Sequence, residues 1–532
     1  MTYMSMAFES PFPNIQIKKT TYKEIEKVIG SLKASQAQGY DEISNNILKA
    51  CKTFISVPLS YLCNRILFEG VFPDRLKYAT MLPVYKKGDK NRVSNYRPIS
   101  ILTSISKIFE KVMYSSLLKH LNDNSILSNH QFGFREKRGT ENAIFRLISG
   151  ILNSLNNKML VSGIFCDLEK AFDCVSHTVL LNKLKYYGIK DKQYNLYKSY
   201  LQDRFQRTTI YNGTNNKKVY SGWAKVTNGV PQGSILGPLL FIIYINDLPK
   251  ILEAKSTPIL FADDASVLIS HANPIMFRNT INEVYSLLDD WFKKNLMSLN
   301  TMKTYYINFT AKNQVQRDIG DLVTIITNTN HTKFLGLTIE NAMTWERHID
   351  EVTKKLTTAC YMIRNIKPVV SMKILKSIYY SYFHSVMTYG LIFWGNSSHA
   401  ERVFKLQKRA IRLIKGCDLR ESCREHFRDM NILPLRSQYM YSLIMFVINN
   451  KEIFNINKDC YGKDTRQNMN IHMYQVNLAK YRNGVYHMAA RIYNGLPNTI
   501  KIISNNANKF KASLKEFLFV NSFYTLEEYF NR

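Results

Sequence analysis

Two adjacent carboxylates, Asp263 and Asp264, interrupt the apolar run PILFADDASVLIS at residues 258–270. A strand pattern would put Val or Ile there, and a carboxylate among apolar side chains is costly unless a partner or a cation compensates it. Paired at a hairpin tip, they offer oxygen donors suited to Mg²⁺, which takes one or two carboxylates and leaves the rest of its shell to water and phosphate. Phosphoryl transfer to a nucleotide chain commonly uses two such ions. A second ion needs a carboxylate from elsewhere. Asp167 is the candidate, ending the strand-like run SGIFCD before a helix-prone segment. Adjacent strands of one sheet would bring Asp167 beside Asp263; the competing reading of an Asp at a strand end is a helix cap.

The elements that must position these residues follow from periodicity. Residues 20–70 read as helical, with Thr21 as an N-cap and apolar spacing at Ile25, Val28, Ile29 and Leu32. Residues 80–100 read as strand, basic turn and strand, with Pro83 and Pro98 limiting the pairing. A helix is expected over about 176–187 with Gly188 closing it, then a glycine-punctuated loop and a buried helix in GVPQGSILGPLLFIIYINDL (229–248). The acidic pair reads as a hairpin with strands 259–261 and 265–269 and its tip at 262–264. A helix over about 275–294, a strand at 304–309 and a hairpin near 323–339 follow. This order implies an α+β domain, an antiparallel sheet backed by helices. Beyond residue 345 the pattern is mainly helical. ERVFKLQKRAIRLIKG places Val403, Leu406, Ala410 and Ile414 on one stripe, with Arg402, Lys405, Arg409 and Arg412 on a neighbouring face. A solvated face is the ordinary account of such charges, and nucleic-acid contact the alternative. Residues 451–532 carry no assignable task.

The 532 residues hold 72 Lys plus Arg against 41 Asp plus Glu, a net charge of +31. Such an excess speaks of partners, and phosphate backbones are the usual ones. The longest apolar stretch, residues 235–245, is too short to span a bilayer. The eight scattered cysteines read as reduced intracellular thiols. Cys417, Cys423 and His426 in GCDLRESCREHF suggest half a zinc knuckle, but the spacing lacks a tight CxxC arm and no fourth ligand stands out, so core thiols and a surface His are expected.

FADD (261–264), FCDLEKAFDCV (165–175) and GVPQGSILGPLLFIIYINDL resemble three blocks of reverse transcriptases. LPVYKKGDKNRVSNYRPISIL (82–102), QFGFREKRGT (131–140), SLNTMKT (298–304), KFLGLTI (333–339) and LQKRAIRLI (406–414) extend the resemblance, in order, to the polymerase of jockey-like, LINE-type (non-LTR) retrotransposons. It covers about residues 20–500. It implies a right-hand polymerase of fingers, palm and helical thumb with a mainly helical C-terminal extension. The expected divisions are 1–79 as N-terminal extension, 80–340 as fingers and palm, 341–450 as thumb-like region and 451–532 beyond it.

By the same resemblance, Asp167 and Asp263 are metal ligands for Mg²⁺, with Mn²⁺ as a substitute, helped by the Leu168 carbonyl, and Asp264 lies near the primer end. Phe172 sits beneath the incoming sugar and disfavours a 2′-OH; core packing is its bland alternative. Gln232 and Gly233 border the nascent base pair. Arg97 and Lys86 hold the triphosphate, Lys303 protonates leaving pyrophosphate, and Phe334, Leu335 and Gly336 steady the primer. The implied partners are an RNA template, a DNA primer and deoxynucleoside triphosphates, in the nucleus and a cytoplasmic ribonucleoprotein. Ala265 stands where the family often has Thr. Such elements usually encode an endonuclease ahead of the polymerase, for which this sequence offers no candidate, and no RNase H segment is expected after the thumb. A silent nucleic-acid-binding relic and a maturase-like splicing factor are the competing readings.

Overall fold

The computed structural model describes residues 2–8, 11–211, 217–311, 326–418, 420–457 and 470–532. Its strands are β1 (Tyr78–Tyr85), β2 (Tyr96–Leu102), β3 (Leu160–Cys166), β4 (Arg204–Tyr211), β5 (Lys218–Tyr220), β6 (Ala224–Val226), β7 (Thr257–Phe261), β8 (Asp264–His271), β9 (Tyr305–Phe309), β10 (Thr327–Asn328), β11 (His331–Phe334) and β12 (Leu337–Glu340). They build an α+β molecule. One sheet runs β2-β1-β4-β5 with β6 beside β4, the central sheet runs β10-β9-β3-β8-β7, and β11–β12 is a separate hairpin. The start of the hairpin expected near 323–339, and Cys460, fall outside the described residues.

The central sheet positions the acidic residues. β3 is apolar along almost its whole length because both faces are covered. Val161 and Phe165 belong to one core, with helix Thr140–Asn156 and most of the C-terminal helices. Ile164 and Cys166 point the other way, into a second core with helices Gly237–Ile245 and Pro274–Lys294. Strand side chains alternate, so one strand serves two cores only if neither parity is polar. β8 repeats the pattern, with Leu268 on the first side and Ala265, Val267 and Ile269 on the second.

Local signals account for the helices. Thr21 caps helix Tyr22–Ser31 in a reciprocal capping box with Glu24, and Ser176 caps helix His177–Tyr186. Gly188 follows that helix at φ +88°, where an added Cβ would collide with the Pro13 carbonyl. The prolines of β1 and β2 act differently from expectation. Pro83 and Pro98 face each other and the pairing runs through them, from Ala79 opposite Leu102 to Tyr85 opposite Tyr96. Residues facing each other in an antiparallel ladder exchange both hydrogen bonds or neither, so two opposed prolines share one non-bonded step. What ends short of Pro83 is the parallel pairing of β1 with β4, whose last partners are Met81 and Thr208.

Past residue 345, helices Glu346–Ile366 and Ala400–Lys415 pack side by side, and Leu435–Asn449 meets Val485–Asn494 and Ala507–Asn521. Val403, Ala410 and Ile414 are buried as their stripe implies. Residues 470–532 are tied into the rest: the Asn156 side chain accepts hydrogen bonds from the Asn477 and Leu478 amides, and Lys480 donates to the Ala311 and Ala342 carbonyls. No helix among the described residues is long and apolar enough to cross a membrane.

A candidate active site on the central sheet

Asp167 and Asp264 lie one step beyond the last ladder pair of β3 and β8, Cys166 opposite Ala265. Counting by twos, Asp167 shares a face with Phe165, and Asp264 with Leu268, the side of the first core. The two carboxylates therefore stand across from each other on one face. Asp263 sits in the turn beside them. The turn is tighter than a tip at 262–264: Phe261 already pairs with Asp264, leaving only Ala262 and Asp263 between the strands. Such two-residue turns require positive φ, and Ala262 pays for its φ of +55° without being a glycine.

The segment 130–133 holds that turn in place. The Gln131 side-chain oxygen accepts hydrogen bonds from the Ala262 amide at 3.1 Å and the Gly133 amide at 2.7 Å. The Leu260 amide donates to His130 O, and the Phe132 amide to Leu260 O. An added Cβ on Gly133 would lie 2.3 Å from the Ala262 nitrogen. Glycine is needed there for close approach, not for its dihedral freedom. Gln131 and Gly133 carry no expected chemistry, and only their place in the QFGFREKRGT block marks them in the sequence.

Electrostatics agree with convergence. Desolvation of the Asp264 carboxyl, then the charges of Asp263 and Asp167, push its pKa up to about 6, while Lys86 pulls it down. Lys86 thus acts on the acidic cluster from the tip of the β1–β2 hairpin, where its amide donates to Asn95 O. Arg97, opposite Val84 in that hairpin, is exposed. Lys303 pairs with Asp167 at 3.1 Å. The chain on either side of Leu168 is pinned to 298–300: the Asn300 amide donates to Asp167 O and the Glu169 amide to Ser298 O.

Phe172 stacks on Phe241, ring centroids 4.6 Å apart, and meets Phe134 edge-on at 6.3 Å. It keeps a half-exposed edge, so packing supports the ring without hiding it. Gln232 donates from its side chain to Asp173 Oδ1 at 3.2 Å and accepts at its carbonyl from the Ser100 amide at 2.8 Å. Gly233 adopts φ +128°, and a Cβ there would stand 2.5 Å from the Ser100 carbonyl. The 229–233 loop therefore bridges β2 and the segment after β3. Beneath it, wholly buried Glu110 accepts from the Ile235 amide at 2.7 Å and from Tyr200 at 3.2 Å. Burial raises the pKa of this carboxyl, against the charge of Arg204. Nothing about Glu110 in the sequence separates it from the charged residues of an ordinary helix.

Phe334 is buried against Phe165, centroids 6.0 Å apart, so the β11–β12 hairpin leans on the strand that ends at Asp167. Leu335 and Gly336 make its two-residue turn at φ +45° and +85°, and the Tyr389 hydroxyl donates to Leu335 O. The basic face of helix Ala400–Lys415 is not uniformly free. Arg402 pairs with Asp350 at 2.6 Å, and Arg412 donates twice to the Glu421 carbonyl, whereas Lys405 and Arg409 are exposed.

Residues 84–339 match the reverse transcriptase (RNA-dependent DNA polymerase) family. The probable RNA-directed DNA polymerase from transposon BS of Drosophila melanogaster is 29% identical over 453 residues, 81% of this chain and 49% of that protein. The RNA-directed DNA polymerase from the mobile element jockey of the same species is 28% identical over 440 residues, 80% of this chain and 47% of its own length. The chain spans about half the length of the curated relatives it matches. Apo telomerase from Candida tropicalis aligns with a TM-score of 0.39 and 13% identity, over 84% of this chain and 69% of that one, a likeness too distant to argue from.

Proposed function

We propose, from the match of residues 84–339 to the reverse transcriptase family, that the chain is the RNA-directed DNA polymerase of a jockey-like non-LTR retrotransposon, extending a DNA primer along an RNA template. The observation that carries this reading is the meeting of Asp167, Asp263 and Asp264 at one end of the central sheet. An all-oxygen donor set, in which the charges of Asp263 and Asp167 raise the proton affinity of Asp264, suits a hard divalent cation. Mg²⁺ or Mn²⁺ held there by Asp167 and Asp263, with the Leu168 carbonyl, would activate the primer hydroxyl and offset the charge of the leaving pyrophosphate.

The other residues bind, orient and exchange protons. Lys86 and Arg97 are assigned to the triphosphate, Lys86 because it already faces the acidic cluster. Phe172, braced by Phe241, closes the floor under the sugar against a 2′-OH. Gln232 and Gly233 border the new base pair, fixed by Asp173 and Ser100. Lys303, held at Asp167, is positioned to give its proton to pyrophosphate. The β11–β12 turn at Leu335 and Gly336 supports the primer end, and residues 341–450 serve as thumb.

Primer extension on poly(rA)/oligo(dT) with deoxythymidine triphosphate tests the reading. Wild type should incorporate label only with a divalent cation, and Asp263→Ala should lose incorporation by several orders of magnitude while binding the duplex as before. Equal, background incorporation by the two proteins, both still binding RNA, would leave a silent nucleic-acid-binding relic instead.

A further inference from the structure

Helix Ala400–Lys415 ends at Gly416 with φ +84°, and Cys417 follows it directly. Helix Arg424–Asp429 then brings His426 back to the same place. The Cys417 sulfur lies 3.2 Å from His426 Nε2, and Glu421 Oε1 lies 2.7 Å from that same nitrogen. One donor atom from each of the three residues lies within 4.8 Å of the others. A thiol, imidazole and carboxylate working as a proton relay would engage both ring nitrogens, one toward each partner. Here both contacts fall on Nε2, and Nδ1 is buried with no hydrogen-bond partner. Three donor atoms this close together can be shared by one cation.

The sulfur, nitrogen and oxygen set also states which cation. Borderline-soft Zn²⁺ takes Cys, His and carboxylate ligands together, whereas Mg²⁺ wants oxygen alone. The surrounding bonds hold the turn ready. The Arg412 guanidinium donates to Glu421 O at 3.0 and 2.7 Å, and Lys415 pairs with Asp429 at 3.1 Å across the two helices. A search for Cys and His spacing overlooks this group because its third member is a glutamate.

We propose that Cys417, Glu421 and His426 bind one Zn²⁺, with water in the fourth position, and that the ion locks the turn between helices Ala400–Lys415 and Arg424–Asp429. On binding, the Cys417 thiol releases its proton to solvent and its sulfur bonds the metal as thiolate. The site is independent of the polymerase reading.

Co²⁺ titration of the purified full chain tests it, because cobalt reports its ligands. One equivalent should give a near-ultraviolet thiolate-to-cobalt charge-transfer band and visible bands of tetrahedral type, both displaced by Zn²⁺. The palm carboxylates have no sulfur and cannot produce the first band. Cys417→Ser should abolish it. Glu421→Gln, an exposed change that spares the fold, should keep the band but weaken cobalt affinity at least about tenfold. Zn²⁺ should raise the thermal midpoint of wild type and not that of Cys417→Ser. No charge-transfer band in wild type overturns the proposal, as does a band that Cys417→Ser leaves intact or an affinity that Glu421→Gln leaves unchanged.

Discussion

The side-chain oxygen of Gln131 accepts the Ala262 amide proton at 3.1 Å, so a residue without chemistry of its own holds the turn that carries Asp263. Gln131 is buried, and Leu at this position would leave the Ala262 amide without its partner. That costs about 1–3 kcal/mol locally and lets the carboxylates drift, where about 1 Å of misplacement is worth roughly a hundredfold. Gln131→Leu should lower kcat for single-nucleotide extension about ten- to a hundredfold and leave duplex binding unchanged. Gly133→Ala should do more, because its Cβ meets backbone rather than a side chain that could swing away.

Phe172→Ala should relax sugar selection. The ring rests on Phe241, which limits its freedom to move on the proposed floor of the sugar site. Removing it should raise kcat/KM for a ribonucleotide relative to its deoxy counterpart by about ten- to a hundredfold, the scale of purely steric discrimination. Competing single-turnover incorporation of the two substrates measures the ratio. An unchanged ratio would return Phe172 to core packing.

Lys183 and Asp247 form a buried ion pair at 2.6 Å, and the Trp291 indole N–H donates to the second Asp247 oxygen at 3.1 Å. Asp247→Ala strands the ammonium in the core and should cost about 3–5 kcal/mol. The double change Lys183→Met with Asp247→Leu should cost less than Asp247→Ala alone, since no lone charge remains. Urea midpoints of the three proteins decide this.

Stability should fall on mild acidification. Burial lowers the His348 pKa from its ordinary value to about 4, and the ring accepts the Thr338 amide at Nδ1. The unfolded chain takes up a proton at this residue below about pH 6.5, whereas the folded one resists until about 4. Unfolding free energy therefore drops as pH falls through that window, by at most about 3 kcal/mol from this residue, and is insensitive to it above the window. His348→Asn keeps an acceptor for Thr338 and should flatten that part of the slope in urea unfolding between pH 7 and 4.

The basic face divides in two. Lys405→Ala and Arg409→Ala should each weaken RNA binding and reduce the steepness of log K against log salt by about 0.7–0.9. Arg402→Ala should change that slope less, because its charge is already paired with Asp350. Fluorescence anisotropy across a salt series separates the groups.

Much of the site can be read along the chain. Short apolar runs over 160–166 and 265–269 mark two strands, and Asp167 and the Asp263–Asp264 pair stand at their ends. The Thr21 cap, Gly188 and the Leu335–Gly336 turn are local features with local causes. Other parts are not legible. The turn at Ala262 breaks the rule that positive φ belongs to Gly or Asn, and its support comes from Gln131, 131 positions away. The opposed prolines read singly as obstacles and pass only because the register sets them face to face. Residues 470–532 look featureless, yet they finish the core begun by helix Thr140–Asn156.

Residue types, their short-range periods and the order of the motifs by themselves determined the α+β class, the candidate acidic residues and a net charge of +31. Tertiary structure alone decided that Asp264 rather than Asp263 stands across from Asp167, that a glutamine pins the turn carrying Asp263, and that Cys417, Glu421 and His426 bring donor atoms within 4.8 Å of one another. The reason is range. Propensity and alternation act over a few bonds and are written in each segment, whereas register and convergence depend on how separate segments pack, whether nine residues apart, as for Cys417 and His426, or 131, as for Gln131 and Ala262.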